Sequence, residues 1–187
     1  MVVLACLLAA CAREYQSFRP PPLDFGDRPP LALAVDRVTV QSAHRPQGAP
    51  PFVEHTLALT PEAATRQLLE HRLEAVGGTG SVQAVILDAS VEEESLATQE
   101  GVRGYLTTEP TARLRGRIKV RIDRLDENGD MLRAVTTEVS RTRTLLENTP
   151  YAQRQQLGYE LVRDLVNDLD AALISSIREN FESALAA

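Results

Sequence analysis

The chain is short of cysteine and aromatic residues: among 187 residues there are two Cys, four Phe, four Tyr and no Trp. Cys6 and Cys11 both lie at the extreme N-terminus, so the rest of the sequence has no thiol for a disulfide or a zinc site. The three histidines, His44, His55 and His71, share no metal-ligand spacing, and no G-x-S-x-G nucleophile turn occurs. Glu92-Glu93-Glu94 reads as strand surface and not as a tuned acid and base pair. No apolar run approaches the ~20 residues of a spanning helix. A formal net charge of −6 argues against phosphate-backbone binding by the chain as a whole. These absences point to a non-enzyme without cofactor, metal or nucleic acid, whose fold is held by its own hydrophobic core.

The first eleven residues are uncharged and apolar and end in Leu8-Ala9-Ala10-Cys11, followed by polar Arg13, Glu14 and Gln16. An apolar stretch closed by small residues marks a secretory signal that is cleaved. Leu8 to Cys11 resembles the bacterial lipoprotein signal, which implies cleavage before Cys11 and lipid on that cysteine. No Lys or Arg precedes the run, and a translation start upstream of Met1 would account for that. The expected division is residues 1–10 as signal peptide, 11–30 as lipidated cysteine and Pro-rich tether, and 31–187 as one domain. Pro20-Pro21-Pro22 and Pro29-Pro30 favour extended polyproline II at ~3.1 Å per residue, so the tether reaches up to ~60 Å. The alternative is an ordered arm laid on the domain through Tyr15, Phe18 and Phe25.

Within the domain, Leu31 to Gln41 reads as a strand. Thr60-Pro61-Glu62 opens a helix with Ala64, Leu68, Leu69, Leu73 and Val76 on one stripe, closed by Gly77-Gly78. Gly77 to Gly80 follows a helix and precedes a strand, the wrong order for a phosphate loop. Val82 to Leu96 alternates, with Val85, Leu87, Ala89 and Val91 on one face and Asp88, Ser90, Glu92 and Glu94 on the other. Ala112 to Ile122 alternates more strictly, its outer face carrying Arg113, Arg115, Arg117, Lys119 and Arg121. Asn128-Gly129 predicts a type I′ hairpin, which sets Ile122 opposite Val135, Val120 opposite Thr137, Ile118 opposite Val139 and Lys119 opposite Glu138. A final helix runs from a Thr149 cap to about Phe181, with a bend expected at Gly158. Its buried stripe runs from Leu161 to Phe181, with Arg163, Asp164, Asp168, Asp170 and Glu179 largely outside. The result is an α+β two-layer sandwich, order β-α-β-β-β-α, with a mainly antiparallel sheet of about four strands and two helices on one face.

Two surfaces could make contacts. The basic row from Arg113 to Arg121 reads as a site for anionic lipid or a partner, or as a solvated lattice between acidic rows. The order helix, three strands, helix echoes the double-stranded RNA-binding domain, but the terminal helix lacks a lysine-rich start. The connection from Ala97 to Thr111, with Gly101, Gly104, Tyr105 and Leu106, is longer than strand pairing needs. It reads as a partner loop or a mobile link.

With Pro61 to Gly78 as helix, the Asn128-Gly129 hairpin and the long last helix, the tethered domain looks like small proteobacterial lipoproteins that carry no known activity. In element order it is similar to lipopolysaccharide-assembly lipoproteins and to auxiliary lipoproteins of ABC transporters. The resemblance implies a lipid-anchored, periplasm-facing accessory or scaffold of a membrane complex, leaning to the outer membrane because Ala12, not aspartate, follows Cys11. The rivals are a lipid-binding or shuttling module, which requires an apolar groove between sheet and helices, and a hydrolase with a cryptic polar cleft.

Overall fold

The computed structural model describes residues 18–96, 110–181 and 185. Its elements are β1 (Leu31–Leu33), β2 (Arg37–Ser42), α1 (Pro61–Arg72), β3 (Leu73–Ala75), β4 (Ser81–Ser95), β5 (Pro110–Leu125), β6 (Met131–Leu146) and α2 (Tyr151–Asn180). The fold is α+β. Its main sheet has the order β2-β4-β5-β6, antiparallel except for the parallel pair β2 and β4, which α1 connects.

The strand expected over residues 31–41 is two strands. A break at residues 34–36 sends β1 to a separate parallel pair with β3, while β2 joins the main sheet. The same pairing shortens α1. Thr60 caps it by accepting the Ala63 N–H, as its sequence implies, but Leu73 already pairs with Leu31 and the helix stops at Arg72. Val76 is consequently exposed and not part of a helical stripe. Gly77, Gly78 and Gly80 follow β3 with positive φ, so they turn the chain into β4 and do not cap the helix. At Gly78 a side chain would also strike the Ala34 carbonyl.

The β5–β6 register agrees with expectation: Ile122 lies opposite Val135, Val120 opposite Thr137, Ile118 opposite Val139 and Lys119 opposite Glu138. The turn itself is different. Only Gly129 has positive φ, and the Gly129 N–H bonds to the Asp126 carbonyl. This is a type I turn followed by a left-handed glycine in place of type I′. Leu125 pairs with Met131 and Arg124 with Arg133, so Leu132 is the extra residue of a bulge that returns the strands to the expected register.

A second bulge corrects the reading of β4. The register shifts between Ile86 and Asp88, so inward positions are Val82, Ala84 and Ile86 before the bulge and Ala89 and Val91 after it. Val85 and Leu87 therefore do not share the inward face of Ala89 and Val91. The inward residues of β4 and β5 form one core with Leu68 and Leu69 of α1 and Leu161, Leu165, Leu169, Leu173 and Ile177 of α2.

α2 is one continuous helix of 30 residues that runs through Gly158. The glycine serves packing: an added Cβ would lie 2.7 Å from Leu57 Cδ2. Thr149 does not cap the helix; its hydroxyl donates to the Leu146 carbonyl, and Pro150 holds the cap position. Asp170, expected outside, is buried where its carboxylate accepts Arg72 Nε at 2.7 Å and Arg28 Nη1 at 3.1 Å.

Arg28 belongs to the stretch expected as spacer. From Phe18 onward that stretch lies against the helices, as the alternative reading has it for Phe18 and Phe25, while Tyr15 lies outside the described residues. Phe18 packs on Tyr159 with ring centres 5.8 Å apart, and Phe25 stacks on His71 at 5.5 Å. Leu23 and Phe25 extend the core, and the Arg28 guanidinium also donates to Asn167. Burial of Leu23 and Phe25 with a charge-assisted anchor outweighs the extended freedom of the prolines.

Candidate functional site

The outer face of the sheet is where the sequence places its charge, and the register arranges it in rows. Arg113, Arg115, Arg117, Lys119 and Arg121 alternate with buried Ala112, Leu114, Ile118, Val120 and Ile122, so all five project away from the core. On one side they face Glu94, Glu92, Ser90, Asp88 and Val85 of β4, in that order. On the other they face Thr144, Thr142, Ser140, Glu138 and Thr136 of β6. Ion pairs join the rows at three points, Arg115 to Glu94 at 3.7 Å, Arg117 to Asp88 at 2.7 Å and Lys119 to Glu138 at 3.1 Å, while Arg121 pairs within β5 with the buried Asp123 at 3.0 Å. Four cations held by four carboxylates form a lattice with little uncompensated charge. The three cross-strand pairs are solvent-exposed and each contributes about 0–1 kcal/mol.

The β4 bulge opens a cavity of about 280 Å³ beside this lattice, where residues 43–52 cross the end of β2. His44, Asp88, Ser90 and Arg117 line it together with Arg45, Gln47 and Phe52. A serine, a histidine and a carboxylate in one cavity are the constituents of a hydrolytic triad, but their geometry does not build one. His44 Nδ1 accepts the Ala89 N–H at 3.3 Å, so in that arrangement it has no proton to give Asp88, whose oxygen lies 3.6 Å away. Asp88 is instead held by Arg117, and His44 Nε2 is buried without a hydrogen-bond partner, Ser90 included. No oriented base faces the serine. Sequence reading missed this cluster because its members come from three segments, joined only by the bulge and the crossing loop.

A second cavity of about 450 Å³ lies at the hairpin end of the sheet, between Asp36, Arg37, Gly78 to Ser81 and Asp126 to Gly129. Neither cavity is the apolar groove between sheet and helices that lipid carriage requires. Among the described residues, no group of three or more His, Cys, Asp or Glu is placed to hold a metal, and no helix is long and apolar enough to cross a membrane.

The inner face of β6 carries charge that the sequence reading did not single out. Arg141 and Arg143 point toward α2, where Arg141 makes a bidentate pair with Asp168 at 2.5 and 2.8 Å and Arg143 pairs with Asp164. The Arg141 hydrogen bond holds the Asp168 carboxyl below the usual carboxylate range, and Asp168 in turn raises the Arg141 guanidinium. Asp164 likewise raises Arg163 through a side-chain hydrogen bond. The arginines after Val139 depart from the apolar alternation, and with Arg133, which donates to Asn180, they meet α2 along the strand. Cys11 and the loop residues Gly101, Gly104, Tyr105 and Leu106 lie outside the described residues.

No family model matches the chain, and no curated protein matches it. Among solved structures it is similar to a minor lipoprotein from Acinetobacter baumannii, at 14% identity and TM-score 0.44, covering 83% of this chain and 98% of that one. It is also similar to rare lipoprotein B from Shewanella oneidensis, at 12% identity and TM-score 0.42, covering 75% and 92%. Similarities at this level are too loose to transfer a role from those lipoproteins to this chain.

Proposed function

We propose that the protein is a lipid-anchored accessory of the bacterial envelope, facing the periplasm and scaffolding a membrane complex without catalysing a reaction. The observation that carries this reading is Leu8-Ala9-Ala10-Cys11, which resembles the bacterial lipoprotein signal. The docked arm adds a spatial consequence. Seven peptide steps separate Cys11 from Phe18, which bounds their distance at about 25 Å. The lipid is then confined to the neighbourhood of Phe18 and Tyr159, on the side of the domain where the arm crosses α1 and α2. α2 packs on the inner face of β5 and β6, so the docked arm and the ion-paired face lie on opposite sides of the sheet. An ion-paired face turned from the membrane suits contact with a protein better than contact with the anchor's own bilayer.

The partner loop extends this proposal. The Leu96 N–H bonds to the Thr111 carbonyl, so the connection leaves and re-enters the sheet at one point, beside Glu94 and Arg113. Tyr105 in such a loop is a residue type enriched at interface hot spots.

Metabolic labelling with an acyl analogue tests the anchor. The wild-type chain takes the label and sediments with membranes, while Cys11→Ser loses the label and becomes soluble. Persistent sedimentation of an unlabelled Cys11→Ser chain overturns the reading. For the loop, replacing Gly101 to Glu109 by a short Gly-Ser turn keeps the fold and loses the co-purifying envelope partner. Unchanged capture of that partner rules the loop out as the contact.

A further inference from the structure

The two edges of the main sheet are unlike. β2 is six residues long, whereas β6 runs for 16 residues and, among the described residues, no strand pairs on its far side. A long unpaired strand presents a row of free N–H and C=O groups, and proteins usually blunt such an edge with proline, lysine or brevity. β6 contains neither proline nor lysine. Its inward arginines are engaged from within, Arg133, Arg141 and Arg143 being turned to Asn180, Asp168 and Asp164 of α2, and its bulge at Leu132 lies at the turn end and leaves the rest of the edge regular. Three of the exposed large apolar side chains among the described residues stand on it, Met131 at 58%, Leu132 at 57% and Leu146 at 47% exposure.

We infer that β6 pairs antiparallel with β6 of a second copy of this chain, about a two-fold axis at Val139, joining two four-stranded sheets into one of eight strands. The side-chain pattern selects this occupant and this register. Leu132 and Leu146 are each seven positions from Val139, so the two-fold sets Leu132 of one copy opposite Leu146 of the other at both ends of the seam. Between them Glu138 meets Ser140, Thr136 meets Thr142, Ala134 meets Thr144, Thr137 meets Arg141 and Val135 meets Arg143. No like charges are opposed. An axis one residue earlier, at Glu138, opposes Glu138 to itself and Arg143 to Arg133. An axis at Thr137 opposes Arg141 to Arg133, and one at Arg141 opposes that arginine to itself. Like charges directly opposite destabilise a pair. An axis at Ser140 avoids the clashes but leaves Leu132 facing Asn148. Only Val139 satisfies both the charges and the leucines, and a two-fold contact of this type is isologous and closes at two copies.

The test uses the full chain in mild detergent, with mass from sedimentation and fold from circular dichroism. The wild type sediments at twice the chain mass. Leu132→Lys with Leu146→Lys places lysine against lysine at both ends and shifts the mass to one chain. Leu132→Glu with Leu146→Lys restores twice the mass, because position 132 of one copy faces position 146 of the other. Both leucines are exposed, so the spectra stay unchanged. A wild type of one chain mass, an assembly larger than two, or equal masses for the two charged variants overturns the inference. Since the readout is mass and not membrane attachment, its failure leaves the anchor reading untouched.

Discussion

At the scale of single residues, stability concentrates where the sequence hides it. Asp170 sits between Arg72 and Arg28 and ties α2, α1 and the arm to one carboxylate. Removing one partner of a buried pair leaves the other charge uncompensated, and Asp170→Ala is expected to cost about 3 kcal/mol in denaturant unfolding. Arg28→Ala touches the same carboxylate from a third-exposed position and is expected to cost under about 1 kcal/mol, which separates the buried pair from the exposed one. Gly116 is the other sensitive position, since an added Cβ would lie 2.4 Å from Leu165 Cδ1. Gly116→Ala therefore overpacks the contact of β5 with α2 and is expected to destabilise by about 1–3 kcal/mol, read as a lower denaturant midpoint with an unchanged slope.

At the scale of elements, the seam between β6 and α2 has a pH dependence with a definite sign. Asp168 is held below the ordinary carboxylate range by the Arg141 hydrogen bond. A group whose folded pKa is depressed contributes stability that is fully present above its unfolded pKa and lost as pH falls through the folded value. The difference in unfolding free energy between wild type and Arg141→Gln is accordingly constant near neutrality and shrinks below about pH 4. A difference that grows toward acid would refute the assignment. The outer lattice behaves differently: Arg115→Gln with Arg117→Gln is expected to change stability by under about 1 kcal/mol. What could be read from sequence divides along the same lines. Strict alternation in β5 and the position of the turn were sufficient to fix the pairing of Ile118, Val120 and Ile122 with β6, even though the turn type differed, because the Leu132 bulge compensated for it. The phase of β4 was not legible, since a bulge at Leu87 leaves no mark in a run where both faces carry Val and Ala. Nor was the end of α1, where Leu73 fits a helical stripe as well as it fits a strand facing Leu31. The His44, Asp88 and Ser90 cavity needs that unseen bulge, and so was equally illegible.

At the scale of the whole molecule, the arm from Phe18 to Pro30 sets how far the domain would stand from the lipid proposed on Cys11. An undocked tether of nineteen residues reaches ~60 Å, whereas docking at Phe18 leaves a bound of about 25 Å. On the proposed anchor, the difference sets whether the domain would search freely for a partner or present one face to it. Docking rests on two ring contacts and the Arg28 pair, so it can be released without touching the sheet. Phe18→Ala with Phe25→Ala is expected to free the arm and expose the peptide bonds before Asp24 and Asp27 to an aspartate-directed endoproteinase, while the Asp170 to Arg72 pair and the main sheet persist. The prolines after Arg19 and Arg28 make trypsin unsuitable for this segment. The wild-type chain, with Phe25 stacked on His71 and Arg28 bound to Asp170 and Asn167, is expected to resist cleavage under conditions that cut the variant. Time-resolved limited proteolysis with mass readout makes the comparison. Equal cleavage of both chains within the arm would mean that it does not hold the domain near its anchor, and the sheet's outward orientation would lose its support.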